Sequence, residues 1–239
     1  MDIRTLPEIE REIYNNLRSR YKLYFEPLQL GDDTVRLLKI ADLEELLNGR
    51  DPFANVSEFP FWVKLWEAAR ALATVLHQGM APGGGRRLLE LGAGLGAPGM
   101  AAALNGYDVT ITDYEEIILD FQRVSIAASG LTGSVHSVML DWLNPPEMAP
   151  FDVLVGAEIL FREEFFQPLI DIFATSLKPG GVILLAHDAS RQSLDKFLKL
   201  ASRQFIIDGQ VKKYTREQGD VTIILNRLRQ RSSADVVSH

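Results

Sequence analysis

The run Leu88-Leu89-Glu90-Leu91-Gly92-Ala93-Gly94-Leu95-Gly96 sets an acid two residues before the first of three alternating glycines. Glycine lets a backbone adopt positive φ and pass close to a ligand. Where such a turn joins a buried strand to a helix in an open α/β sheet, it lies at the carboxyl edge, where ligands bind. Gly92, Gly94 and Ala97 also satisfy the dinucleotide fingerprint G-x-G-x-x-G/A. The glycines alone therefore leave a dinucleotide, another adenosine-type ligand and a bare tight turn all open. Glu90 shifts the balance. A carboxylate at this strand end suits the amino group of a cationic ligand, whereas a pyrophosphate wants bare N–H groups and a helix dipole.

Further candidates end the strands that follow. Asp113 lies about twenty residues past the turn, where an acid can accept both hydroxyls of a ribose. The alternative is an N-cap for the helix from Glu115 onward. Tyr114 beside it can pack on an adenine or cover the sheet edge. Asp141-Trp142 closes the next strand, setting an acid beside a flat indole wall; the alternative is a surface loop with a half-buried tryptophan. Glu158 and Phe161 follow a strand ending at Ala157, with a solvated acid and a core aromatic as the alternative. His187-Asp188 follows the next strand, within possible reach of a substrate channel. The sequence holds no G-x-S-x-G, which argues against a hydrolase triad built on them.

The elements needed to position these residues are legible as alternating periods. Leu6 to Leu17 reads as a helix, with Ile9, Ile13 and Leu17 on one stripe. Tyr21 to Leu30 and Thr34 to Ile40 read as two strands around Gly31-Asp32-Asp33, and Asp42 to Leu47 as a brief helix. Trp62, Leu65, Trp66, Ala69, Leu72, Ala73 and Leu76 share helical spacing, so Trp62 and Trp66 are expected on one helix face. Short strands then alternate with helices. The strands are Arg87–Leu91, Asp108–Thr112, Ser134–Leu140, Asp152–Ala157 and Val182–Ala186; the helices are Met100–Asn105, Glu115–Ala128, the stripe Phe165 to Leu177, and Leu194–Ala201. Pro98 suits a first helical turn. Strands apolar on both faces between amphipathic helices predict a parallel sheet covered on both sides. Phe205–Val211 and Val221–Leu228 close the chain as an antiparallel pair. The expected architecture is a Rossmann-like α/β fold: a seven-strand sheet, mostly parallel with a C-terminal antiparallel hairpin, plus a small N-terminal α+β extension. Residues 1–59 form the extension or cap, 60–229 the ligand-binding domain and 230–239 a flexible tail.

Composition narrows the function classes. The chain has 239 residues, enough for one substantial domain with a decoration. No apolar run is long enough to span a bilayer, and charges stud the first thirty residues, so neither a membrane anchor nor a secretory signal is expected. Cysteine is absent, which removes thiolate metal sites, and the four histidines are scattered. No metal is expected. A net charge of −7 without a basic run gives no footprint for nucleic acid. A cytoplasmic protein is expected, with its oligomeric state open.

Glu90-Leu91-Gly92-Ala93-Gly94-Leu95-Gly96 resembles the first motif of the seven-strand S-adenosylmethionine-dependent methyltransferases. Leu177-Lys178-Pro179-Gly180-Gly181 resembles the loop before their fifth strand. More narrowly, the chain is similar to methyltransferase family 16, the lysine methyltransferase-like branch. That likeness rests on Pro60-Phe61-Trp62-Val63-Lys64-Leu65-Trp66, on Asp141-Trp142 and on Ala157-Glu158-Ile159-Leu160-Phe161, and covers residues 60 to 228. One departure is Glu67, where members often have proline. The resemblance implies S-adenosylmethionine as cofactor, held by Trp66, Glu90, Gly92, Ala93, Gly94, Gly96, Asp113, Tyr114, Asp141, Trp142 and Ala157. It also implies Glu158 and Phe161 at the acceptor, with Arg191 as a family counterpart suited to a salt bridge. N-methylation of a protein lysine is the expected activity. A small-metabolite methyltransferase, an NAD-dependent oxidoreductase and a non-catalytic nucleotide-binding module remain the alternatives.

Overall fold

A computed structural model of the chain describes residues 2–42, 44, 60–214 and 219–231. Helix α1 (Glu8–Arg18) precedes a hairpin of β1 (Leu23–Leu30) and β2 (Asp33–Ile40). The rest alternates: α2 (Glu67–Gln78), β3 (Arg87–Glu90), α3 (Ala97–Leu104), β4 (Asp108–Asp113), α4 (Glu116–Ala128), β5 (Val135–Met139), β6 (Phe151–Ala157), α5 (Phe166–Ser176), β7 (Leu177–Asp188) and α6 (Ser193–Ala201), then β8 (Phe205–Tyr214) and β9 (Val221–Gln230). The expected helix over 42–47 and the tail beyond residue 231 lie largely or wholly outside the described residues. Strand β9 runs two residues past the expected Leu228 and reaches Gln230.

Seven strands form one sheet in the order β5-β4-β3-β6-β7-β9-β8. The first five are parallel, and β9 runs antiparallel between β7 and β8. This is the mostly parallel sheet with a C-terminal antiparallel hairpin that the apolar strand runs call for. Strand alternation sorts the side chains into two layers. Leu88, Val109, Ile111, Val153 and Val155 pack against α2 and α3. Leu89, Leu154, Ile183 and Leu185 pack on the opposite face against α5 and α6. Because β3 lies between β4 and β6, its C-terminal turn is flanked by their tips.

The N-terminal extension shares a core with the sheet domain. Tyr14 and Leu17 of α1 and Leu38 and Ile40 of β2 close over Phe121, Val124 and Ala128 of α4. Polar contacts fix the register. Ser125 Oγ accepts the Leu38 N–H at 2.9 Å and donates to the Phe121 carbonyl at 2.7 Å, and Ser129 Oγ accepts from Arg36 N. Glu26 of β1 accepts from Lys39 and from Arg70 of α2, pinning the hairpin to a second helix.

One sequence expectation needs correction. Trp62 does not begin a helix that continues through Trp66. Residues Phe61–Val63 form a single 3-10 turn, Lys64 and Trp66 are extended, and α2 starts at Glu67. An acid in the first turn complements the positive end of a helix, so Glu67 marks the start that the apolar spacing obscures. Trp62 and Trp66 therefore share no helix face.

Ser125→Ala leaves the buried Leu38 N–H without its acceptor, which should cost about 1–3 kcal/mol. The check is a lower denaturant midpoint at unchanged m-value; a shift equivalent to less than about 0.5 kcal/mol would remove this bond from the account of how the hairpin is held.

Candidate active site

The turn after β3 has left-handed backbone at Gly92, Gly94 and Gly96, with φ of 57°, 52° and 72°. Gly96 is the N-cap residue of α3, with Pro98 in the first turn as its type favours. Two tryptophans close on the turn. A Cβ on Gly92 would lie 2.9 Å from the Trp142 ring, and one on Gly94 would lie 3.5 Å from the Trp62 backbone. Trp62 also packs on Phe121, with centroids 5.0 Å apart, so it joins the core to the turn. Trp142 arrives on the loop between β5 and β6, which carries no helix.

The turn's polar groups are bound from several directions. Ala93 N–H donates to the Thr112 carbonyl and Gly96 N–H to the Ala93 carbonyl, both at 2.8 Å. Gly94 N–H donates to Asp113 Oδ2 at 2.8 Å, while Gln122 Nε2 donates to the Gly94 carbonyl at 2.9 Å. Thr112 Oγ1 donates to the Glu90 carbonyl. Gln122 and Thr112 escape the motif reading, since neither lies in a motif. Gln122 does leave a trace: Ile118, Gln122 and Ser125 are spaced i, i+4, i+7 and all are buried, and polar side chains on a buried stripe demand partners.

The two acids sit differently. Glu90 is fully enclosed and accepts the Gly99 N–H of α3 at 2.7 Å. Burial pushes its carboxyl up to about 8; the Gly99 bond opposes this and the neighbouring Asp113 reinforces it. Asp113 is raised to about 6, chiefly by burial, with the Gly94 and Tyr114 N–H groups opposing. Asp113 does not cap α4: Glu115 is the N-cap residue there, and Asp113 Oδ1 accepts from its neighbour Tyr114. Tyr114 is exposed. Asp141 is exposed too, and its carboxylate accepts from Leu143 N and Asn144 Nδ2 within its own loop.

Glu158 lies just past the end of β6 at Ala157 and is the non-glycine residue with positive φ, 58°, among the described residues. Its backbone N–H donates to the Ala186 carbonyl of β7. Its carboxylate accepts from Asp188 N at 2.6 Å and from both Nε and Nη2 of Arg191. The side chain is only 10% exposed, so it is no solvated acid. Ser193 Oγ donates to the Leu160 carbonyl, a second tie between the same two segments. Phe161 is 47% exposed and so is not core. It meets Phe165, which meets Trp142, with centroids 5.8 and 5.4 Å apart. An aromatic row thus runs from the glycine turn to the surface, and Phe165, expected as core, is its middle member.

Two expectations separate from this cluster. His187 does not reach a channel: it is fully buried, its ring nitrogens lack hydrogen-bond partners, and burial with the Arg191 charge lowers it to about 3. Strand alternation turns it inward beside Leu185. Trp66 donates its indole N–H to the Phe61 carbonyl and lies under the Lys64 ammonium at 4.5 Å, in a small group with Phe61.

A family model for lysine methyltransferases matches residues 61–204. The chain belongs to the lysine methyltransferase family. This methyltransferase is 32% identical over 171 residues to the protein N-lysine methyltransferase METTL21A of Xenopus tropicalis, covering 70% of this chain and 78% of that protein. It is 28% identical to EEF1A lysine methyltransferase 3 of Mus musculus, covering 74% and 75%. Among solved structures, TYW2 of P. horikoshii in complex with MeSAdo superposes with a TM-score of 0.57 at 11% identity, covering 92% of this chain and 82% of that one; at that identity the likeness concerns fold. The enzyme is thus an S-adenosylmethionine-dependent methyltransferase. The turn fits that cofactor. Its glycines leave a side-chain-free cradle between two tryptophans, and three of its N–H groups are committed inside the protein, which suits a nucleoside better than a pyrophosphate seeking free donors. Among the described residues no helix is long and apolar enough to cross a membrane.

Glu90 and Asp113 hold their protons in the folded, ligand-free enzyme at pH values where the unfolded chain has lost them. Stability is therefore greatest below about pH 4 for these groups and falls as pH rises through their folded values, by about 1.4 kcal/mol per pH unit for each proton. The ligand-free enzyme should lose roughly 3 °C of Tm per unit between pH 6 and 8, and Glu90→Gln should flatten that slope. A Tm scan with the same slope in both proteins would refute the assignment.

Proposed function

We propose that this methyltransferase transfers a methyl group to the side-chain nitrogen of a lysine in a protein. The observation that carries the reading is the aromatic row Trp142–Phe165–Phe161, which leads from the glycine turn to an exposed phenylalanine beside a tethered acid. The names of the relatives support the same acceptor. Glu67 departs from the proline of many members, so the reading stops at lysine and names no particular protein.

S-adenosylmethionine, when bound, supplies an already activated methyl on a sulfonium, which leaves the protein to provide alignment and desolvation. In this reading Gly92, Ala93, Gly94 and Gly96 present the backbone cradle, Asp113 accepts the ribose hydroxyls, and Asp141, Tyr114 and Trp142 border the adenine. Ala157 and the strand end at Glu90 border the amino-acid end. A lysine must lose its proton before it can attack, at a cost of about 4 kcal/mol near neutral pH. An isolated carboxylate would favour the ammonium and oppose that loss. Glu158 is instead paired with Arg191 and with the Asp188 N–H. It holds the acceptor side of the site in register without stabilising the charged amine, and Phe161 excludes water around it.

Incubation with methyl-tritiated cofactor and a cell extract should place label in protein, recovered as N-methyl-lysine after acid hydrolysis. Label confined to small solutes would favour a metabolite acceptor, and label recovered on another amino acid would replace lysine. On the labelled acceptor, Arg191→Met should lower kcat at least tenfold while S-adenosylhomocysteine binds within about twofold of wild type. Arg191→Lys should recover part of the rate; equal rates in all three proteins would dismiss the tether.

A further inference from the structure

Gln122 lies on α4, outside every motif, and is fully buried. Its amide spans the gap between β5 and the glycine turn: Nε2 donates to the Gly94 carbonyl at 2.9 Å, and Oε1 accepts from Ser137 Oγ at 2.7 Å. The orientation of the amide follows from chemistry, because a carbonyl can only accept. The NH2 group must face Gly94, the amide oxygen must face β5, and Ser137 must therefore donate. On the other side of the same residue, Gly94 N–H donates to Asp113 Oδ2. The two peptide units flanking Gly94 are thus held by different side chains, one from β4 and one from α4. With φ at 52° and no side chain of its own, Gly94 has nothing local to fix it.

We infer that Gln122, aimed by Ser137, is a positioning residue for the cofactor: it fixes the Gly94 carbonyl and thereby the shape of the turn that receives the nucleoside. The inference rests on the turn being the cofactor cradle. Without the amide, the Gly94–Leu95 peptide is free to rotate, and Asp113, bonded to the preceding peptide, moves with it. Both changes reach the ligand side of the turn, although neither Gln122 nor Ser137 touches that side.

The test is calorimetry with S-adenosylhomocysteine on wild type, Gln122→Met, Ser137→Ala and Ser137→Thr, with ligand-free Tm measured alongside. Methionine keeps the volume and loses both hydrogen bonds, so Kd should rise about tenfold. Ser137→Ala should raise it about threefold, and Ser137→Thr, which keeps a hydroxyl, should restore wild-type affinity. If Gln122→Met and Ser137→Ala lower Tm but bind within twofold of wild type, Gln122 only fills the core and the inference is overturned. If Gln122→Met does not fold, the serine pair decides: weaker binding in the alanine variant, restored by threonine, upholds the relay, and unchanged binding rejects it. Failure of the wild type itself to bind would overturn the cradle reading, an outcome distinct from any difference between variants.

Discussion

A turn made of left-handed glycines has no side chains with which to hold itself, so its shape must be imposed from outside. Gly92, Gly94 and Gly96 stand in that position after β3, and the surrounding elements supply the restraint. Strand β4 gives the Thr112 carbonyl and the Asp113 carboxylate, α4 gives the Gln122 amide, and the segments before α2 and after β5 give Trp62 and Trp142. This dependence explains why the sheet order matters to chemistry. With β3 between β4 and β6, the tips of both strands and the middle of α4 lie within hydrogen-bond or packing reach of one turn.

A second restraint sits at the other edge of the same site. Glu158 takes a backbone conformation that costs a residue with a Cβ on the order of 1–3 kcal/mol, and such strain persists only where neighbours over-determine it. Here they do: its N–H is bound to β7, and its carboxylate to the start of the loop into α6 and to Arg191 in that loop. The tip of β6 and the loop after β7 therefore behave as one stapled unit that carries Phe161. The two restraints differ in kind. Around the turn they are backbone hydrogen bonds and two acids raised by burial; around Glu158 they are an ion pair and a short N–H contact.

The sheet was legible in the sequence because both faces of a parallel sheet are buried. Runs such as Val182 to Ala186 admit no surface reading, and the five parallel strands followed from them. The start of α2 was less legible, because Trp62, Leu65 and Trp66 hold helical spacing while Lys64 and Trp66 are extended. Spacing reports which residues are apolar, not which peptide groups are bonded, and large aromatics find burial from either backbone. The motif residues Gly92, Asp113, Trp142 and Glu158 were visible as types at spacings. What spacing could not supply was direction: Glu90 points into the helix behind it and His187 into the core. Gln122 and Ser137 were hidden for a further reason. A polar residue in an amphipathic helix or an edge strand reads as solvated, and only the placement of Gln122 on the stripe with Ile118 and Ser125 betrays it.

The glycine spacing alone fits a dinucleotide site as well as a methyl-donor site, and the difference lies in how the turn's donors are used. An anion site needs N–H groups left free and pointing outward at the head of a helix. In this chain Ala93, Gly94 and Gly96 turn their N–H groups inward, to Thr112, Asp113 and Ala93, and Gly99, in the first turn of α3, gives its N–H to Glu90. The head of α3 is thus already answered by a carboxyl group from within. What the turn still offers outward is close backbone approach and two indole surfaces. Those are means of holding a flat base rather than a phosphate, and the acid at position 90 occupies the head of α3 without altering a glycine.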